Sequence, residues 1–135
     1  MSPPAERRLL QIAVALACFV PLAMGSLSVI RGVAVIKGAA VLPDLDSHFR
    51  YLSGIFLALG IAFASCVPAI EHRGERFRLL GAMVIAGGLA RLLSWAMVGA
   101  PGAGHRFGLV MELGVVPLLM LWQARVARRY GRFQK

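Results

Sequence analysis

Two charged side chains of opposite sign stand inside long apolar stretches of this sequence. Arg91 lies in "GGLARLLSWAMVG", with apolar or small residues on both sides, and Glu112 lies in "GLVMELGVV". Glu112 is the only acidic residue inside any of the long apolar stretches. A guanidinium and a carboxylate in such a setting can pair with each other, hold an anionic or carbonyl group, or relay a proton.

A second polar cluster, "PDLDSHFR", ends at Arg50. Asp46 or Ser47 could cap the helix that follows, and Arg50 could pair with an aspartate. His48 is the group here that could titrate near neutral pH in an outward-facing polar pocket. His48 with Asp44 and Asp46 could also bind a metal, but this spacing matches no established zinc or calcium loop. We therefore predict no metal site.

The elements that carry these residues are four long apolar runs. The chain has 135 residues, of which 59% are hydrophobic and 16% charged, and its mean hydropathy is +0.74. A soluble domain would have roughly 45–50% apolar and about 25% charged residues. Each run is near the roughly 20 residues that cross a bilayer. The sequence predicts an all-α, integral membrane four-helix bundle, one domain over 1–135, with spans near 9–30, 51–70, 77–98 and 107–126.

The positive charges lie at the ends of these runs. The net charge is +9, and ten of the fifteen basic residues form three clusters: Arg7 and Arg8; Arg73, Arg76 and Arg78; and Arg125, Arg128, Arg129, Arg132 and Lys135. Basic residues flanking apolar spans set orientation through the positive-inside rule. We predict a multi-pass protein of the bacterial cytoplasmic (inner) membrane with both termini in the cytoplasm. This placement argues against nucleic acid as a partner, because no soluble basic face results.

Small residues recur at every fourth position in two of the predicted spans. Close packing of helices in lipid depends on such residues, because the apolar solvent does not drive helices together. The residues that we predict to pack helices are Gly54, Ala58, Ala62, Ala82, Ala86 and Ala90.

The two buried charges are predicted to meet. Arg91 lies eight residues before the predicted end of its span at Gly99, and Glu112 lies five residues after Phe107. At about 1.5 Å per residue these positions are about 12 Å and about 8 Å below the outer surface, a difference that an arginine side chain can bridge. The pair could be a structural clamp, a ligand-facing pair, or a proton or ion relay.

Three blocks of the sequence resemble the bacterial family called domain of unknown function 4345: "LDSHFRYLSGIFLALG", "GGLARLLSWAMVGAP" and "MELGVVPLLMLWQARVAR". The family pattern falls on Asp46, Phe49, Arg50, Gly54, Gly60, Gly87, Gly88, Arg91, Ser94, Gly99, Pro101, Glu112, Pro117 and Trp122. The family often has glutamine where this chain has His48. The resemblance implies an integral membrane protein and supplies no activity. The layout is also loosely similar to DoxX-like four-helix membrane proteins, which implies quinone or redox neighbours.

Three functions compete. The first is an outward-facing pocket that binds an amphipathic lipid- or quinone-like molecule, with the candidate residues Arg91, Glu112, Arg50, His48, Asp46 and Ser94. We favour binding over catalysis because the cluster lacks a nucleophile or metal, and we predict no cofactor. The second is an accessory subunit that docks a larger membrane complex, with the ion pair as a clamp. The third is a transporter, which would require a homo-oligomer because four spans are too few for a transport path in one copy.

Overall fold

The computed structural model describes residues 2–133, so Lys135 of the third basic cluster lies outside the described residues. The structure is 86% helical, and the described residues contain no strand. The longer helices are α1 (Pro3–Arg31), α2 (Pro43–Ala64), α3 (Gly74–Val98), α4 (Ala103–Val110) and α5 (Val116–Phe133). Short 3-10 turns cover Gly32–Val35 and Val67–Ala69, and one π turn, Met111–Val115, joins α4 to α5.

Four helical segments are long and apolar enough to cross a membrane, which confirms the predicted all-α architecture. They are Pro3–Val35, Pro43–Ala69, Gly74–Val98 and Ala103–Arg132. In an apolar stretch of 18 residues from each segment, only 17–22% of the residues are buried within the chain. Most apolar side chains therefore face outward, as suits helices whose solvent is lipid. The orientation with both termini in the cytoplasm stays a prediction.

The second span begins eight residues earlier than predicted. Helix α2 starts at Pro43, and its N-cap is Leu42, which makes no side-chain capping bond. The prediction that Asp46 or Ser47 caps this helix is therefore wrong. Proline suits the first helical position, because its missing N–H is not needed there and its φ is already helical. Acidic residues in the first turn are also favoured by the helix dipole, so the polar start belongs to the helix.

The described residues cluster into two compact units. One consists of the residues up to Gln11 together with those from Pro68 onward, and the other is Ile12–Val67. Helix α1 contributes its first turns to the former, which we call the α3–α5 unit, and its remainder to the latter, which we call the α1–α2 unit. One domain over 1–135 stays a prediction.

In the α1–α2 unit the close helix contacts are made by glycines. A Cβ on Gly25 would lie 3.0 Å from the backbone of Leu57, and one on Gly60 would lie 3.0 Å from the Pro21 ring. The predicted stripe of α2 does not make this contact: a Cβ on Gly54 would meet nothing within 4 Å, and Ala58 is exposed. Glycine brings two backbones closer than alanine does, so the glycine-bearing face is the one that packs.

In the α3–α5 unit the buried face of α3 also differs from the predicted one. Its buried residues are Phe77, Leu80, Gly81 and Gly88. The predicted packing residues Ala82, Ala86 and Ala90 are exposed. Their predicted role in packing stays a prediction. Within this unit the glycine face makes the close contacts, and the polar Arg91 follows that same face at helical spacing.

A polar latch closes the connection between α1 and α2. Arg50 Nη1 donates to the carbonyl oxygens of Val29 (2.5 Å) and Ile30 (2.9 Å), near the end of α1. Asp46 Oδ1 accepts from the Val33 N–H at 2.8 Å, and Asp46 Oδ2 accepts from Arg50 Nε at 2.7 Å. The predicted ion pair of Arg50 with an aspartate is confirmed, and its role is to satisfy backbone groups at the helix end.

Gly32 stands at the centre of this latch with φ +60°. A Cβ there would lie 1.9 Å from Asp46 Oδ1, whereas Gly38, which also has a positive φ of +81°, has nothing within 4 Å of such a Cβ. The two glycines share a backbone conformation that favours glycine but differ in their surroundings.

We expect Gly32→Ala to destabilise the chain more than Gly38→Ala does. Alanine in the left-handed region costs about 1–2 kcal/mol at either position. Only Gly32→Ala also displaces Asp46 and its hydrogen bonds, worth about 0.5–1.5 kcal/mol each. Thermal unfolding of both variants in a mild detergent measures the difference. Equal losses of stability would show that Asp46 moves aside freely and that the latch contributes little.

Candidate functional site

Arg91 and Glu112 form the predicted ion pair. Arg91 Nε donates to Glu112 Oε2 and Nη2 donates to Oε1, both at 2.9 Å. The arrangement is the side-on, two-bond pairing that is among the strongest a guanidinium makes. The Glu112 side chain is 11% exposed and the Arg91 side chain 32%. The carboxylate is therefore enclosed, while part of the guanidinium remains accessible.

Two backbone features place Glu112 beside Arg91. Glu112 lies in the π turn Met111–Val115, and Pro117 lies two residues after the end of that turn. Pro117 has no N–H to give to the carbonyl four residues before it, and a widened turn relieves the clash of its ring with that carbonyl. Such π turns occur often at functional sites. On the opposite helix a Cβ on Gly88 would lie 2.9 Å from Glu112 Cβ, so glycine is what allows this approach.

His105 is a third member of the site that the sequence analysis did not place in it. Arg91 Nη1 lies 2.7 Å from His105 Nδ1. Arginine has no acceptor, so Nδ1 accepts this hydrogen bond and the proton of the neutral ring is on Nε2. A signal was present in the sequence: His105 precedes Glu112 by seven residues, two helical turns, which puts both on one face.

An open cavity of about 380 Å³ lies against the exposed side of Arg91. Its lining consists of Arg91, Ser94, Trp95, Gly99, Pro101 and His105. The volume falls within the roughly 300–1,000 Å³ of small-molecule sites. Ser94, a predicted site residue, thus lines the cavity with Arg91.

The remaining predicted site residues lie in the α1–α2 unit. Asp46 and Arg50 are engaged in the latch, and His48 is exposed. They are not among the residues that line the cavity beside Arg91. No group of three or more His, Cys, Asp or Glu side chains within residues 2–133 is arranged to hold a metal ion.

Comparison with known protein families gives one match. The family described as a domain of unknown function (DUF4345) matches residues 9–123. The chain belongs to this family. Comparisons with curated proteins and with solved structures find no match. The match contains every residue that lines the cavity and also Glu112. The similarity to DoxX-like proteins stays a prediction.

The opposite end of this DUF4345 chain holds a second set of ion pairs, within the α3–α5 unit. Glu6 is 3% exposed and pairs with Arg125 at 3.0 Å and with Arg129. Arg7 Nε donates to Glu71 Oε2 at 2.7 Å. The basic clusters of the sequence predicted these arginines only as charges that flank the spans. Arg125 and Arg129 are one helical turn apart, which is the spacing that lets one carboxylate bind both.

Gln123 lies fully buried in the same unit of the DUF4345 chain. Its Nε2 donates to the Ile70 carbonyl at 2.8 Å, which ties α5 to the turn before α3. Its Oε1 has no hydrogen-bond partner among the described residues. Gln123 lies near the end of the predicted fourth span, and its side chain serves packing and backbone pairing rather than the cavity.

Two adjacent glycines allow a matched test of the site's geometry in this DUF4345 chain. A Cβ at Gly88 would lie 2.8 Å from Leu113 Cδ2 and 2.9 Å from Glu112 Cβ, whereas one at Gly87 would meet nothing within 4 Å. We expect Gly88→Ala to lose about 1–3 kcal/mol of stability through overpacking. Gly87→Ala should be neutral or gain up to about 1 kcal/mol from helix propensity.

Thermal unfolding of both variants in mild detergent provides the measurement, with helix content checked by circular dichroism. If Gly88→Ala unfolds at the same temperature as Gly87→Ala, the close approach of α3 to the π turn does not hold Glu112 in place.

Proposed function

We propose that this chain is a multi-pass membrane protein that binds an amphipathic, lipid- or quinone-like molecule. The polar end of the molecule would occupy the cavity beside Arg91. In this proposal the protein lies in the cytoplasmic membrane and the cavity faces outward, as the distribution of basic residues predicts.

The proposal rests on one observation: some N–H groups of Arg91 have no hydrogen-bond acceptor among the described residues. A guanidinium has five N–H groups. Three of them meet Glu112 and His105, and the other two have no partner among residues 2–133. Two N–H groups beside an open cavity suit a ligand that presents acceptor oxygens.

Pairing with Glu112 lowers the energetic cost of placing the Arg91 guanidinium within an apolar helix, and it fixes the direction in which the guanidinium points. An arginine at the centre of a membrane helix costs roughly 2.5–3.5 kcal/mol, and a paired carboxylate offsets part of that cost. The two-bond geometry also prevents rotation of the guanidinium. Glu112 is therefore a positioning residue, and Arg91 is the residue that would touch the ligand.

The surroundings of the cavity supply an apolar surface for the rest of the ligand. Trp95 lines the cavity and is 36% exposed. Leu92, Leu93, Met97 and Val98 on the same turns of α3 are also exposed. A chain attached to the bound headgroup would lie along these side chains at the lipid boundary. An apolar wall with a few convergent polar groups is the usual form of a binding site.

The first experiment is native mass spectrometry of the protein released from membranes in mild detergent. Wild type should carry a defined adduct, and Arg91→Gln and Glu112→Gln should lose most of it. Glu75→Gln, which changes an exposed carboxylate on the same helix, should keep the adduct. Circular dichroism confirms folding. A bare wild-type protein, or an adduct that survives Arg91→Gln, would contradict the proposal.

A second candidate function is an accessory subunit of a membrane complex, and the exposed stripe Ala82, Ala86 and Ala90 favours it. Small side chains at four-residue spacing allow another helix to approach closely. In this reading the ion pair is a clamp and the stripe is the contact surface.

Ala86→Leu tests this candidate, because a larger side chain blocks close helix approach. We expect it to abolish crosslinked species in native membranes, whereas Ala96→Leu, the same substitution at an exposed position off the stripe, should preserve them. Crosslinked species that persist at wild-type levels in Ala86→Leu would exclude the stripe as the contact.

A further inference from the structure

We infer that the cavity beside Arg91 selects an anion, with phosphate or carboxylate oxygens bound by Arg91 and His105. This inference rests on the proposed function and narrows its ligand class. A neutral quinone or alcohol would then be a poorer ligand than a single-chain lipid with an anionic headgroup.

The polar lining consists mainly of donors. Arg91 offers two N–H groups, and neutral His105 offers Nε2–H because its Nδ1 is the acceptor for Arg91. The Ser94 hydroxyl can donate as well. The carboxylate of Glu112 has both oxygens bound to Arg91 and is 11% exposed. An anionic headgroup with several lone pairs satisfies these donors, whereas a hydroxyl headgroup brings a donor of its own.

The charge balance of the cavity depends on His105. Arg91 and Glu112 together carry no net charge, so at the higher pH the N–H donors of the lining attract the anion, and a net positive charge comes from a proton on His105. When His105 takes up a proton, Nδ1 becomes a donor and can no longer accept from Arg91 Nη1. This frees a third N–H on Arg91 and adds a positive charge to the lining.

The charged groups closest to His105 in space or along the chain come from α3, the π turn and α4. Arg91 approaches it from α3, Glu112 lies behind Arg91 in the π turn, and Arg106 is its neighbour on α4. His105 is in the first turn of α4, where the helix dipole favours a nearby anion. The negative charge of a bound anion favours the protonated ring, so we expect the anion to bind more tightly at the lower pH.

Two sources can supply such a headgroup: a phosphate of a membrane lipid or the carboxylate of a fatty acid. Three probes separate them. Oleoyl lysophosphatidic acid carries a phosphate, oleate carries a carboxylate, and monooleoylglycerol has the same acyl chain with hydroxyls only.

Trp95 provides the readout, since it lines the cavity and the chain has two tryptophans. In the full-length Trp122→Phe protein, Trp95 is the sole tryptophan. Its emission is followed while each probe is added in mild nonionic detergent, at about pH 8 and about pH 5.5. We expect an anionic probe to bind at least about tenfold more tightly than monooleoylglycerol, as suits charge-assisted hydrogen bonds. The ratio of the affinity for an anionic probe to the affinity for monooleoylglycerol should rise at the lower pH.

His105→Asn is the matched variant, because the asparagine oxygen can accept from Arg91 but the side chain does not titrate. It should keep the preference for the anion at the higher pH and lose the increase at the lower pH. Titration of the probe itself is common to both proteins, so the difference between them reports on His105.

The outcomes separate this inference from the proposed function. If monooleoylglycerol binds as tightly as both anionic probes, the anion inference is wrong while binding stands. If wild type shows no change with any probe and no adduct in native mass spectrometry, both fail. An equal pH dependence in His105→Asn overturns the role of His105. Competition of the three probes by native mass spectrometry of wild type gives the same comparison if Trp122→Phe does not fold.

Discussion

A guanidinium within an apolar helix needs a partner of opposite charge, and this chain supplies one carboxylate in its apolar spans to meet that need. The Arg91–Glu112 pair determines which face of α3 turns inward, because Arg91 continues the buried line of Phe77, Leu80 and Gly88. Gly88 allows the π turn to approach α3 beside this pair. Apolar replacement of a buried pair is often neutral for stability. The ion pair is therefore not an obvious stability device.

The ion pair and the helices that carry it could be predicted from the sequence for simple physical reasons. Apolar runs near the length of a bilayer crossing can form helices only, since lipid offers no partner for backbone groups. A single carboxylate in those runs leaves a single candidate for Arg91. Counting residues from the predicted helix ends then gave similar depths, and the observed two-bond geometry confirms the result.

Other features depended on information that residue types do not carry. The π turn at Met111–Val115 follows from the position of Pro117, but proline alone does not specify how a helix adapts. Small residues at four-residue spacing occur on more than one face, so the stripe Ala82, Ala86 and Ala90 could not be distinguished from the glycine face that packs. The start of α2 was missed because its first turns are polar, and hydropathy marks the hydrocarbon-crossing part of a helix rather than the whole of it.

The short distance within the ion pair has an electrical consequence. A membrane potential does work of about 2.3 kcal/mol per elementary charge per 100 mV on a charge that crosses the bilayer. The positive and negative groups here are 2.9 Å apart and held by two bonds, so they move together as a dipole of zero net charge. The field then exerts no net force on the pair, and its energy does not change when the pair is displaced as a unit. An anion that joins the pair would add a charge that the pair does not compensate, and the field would then act on the ligand.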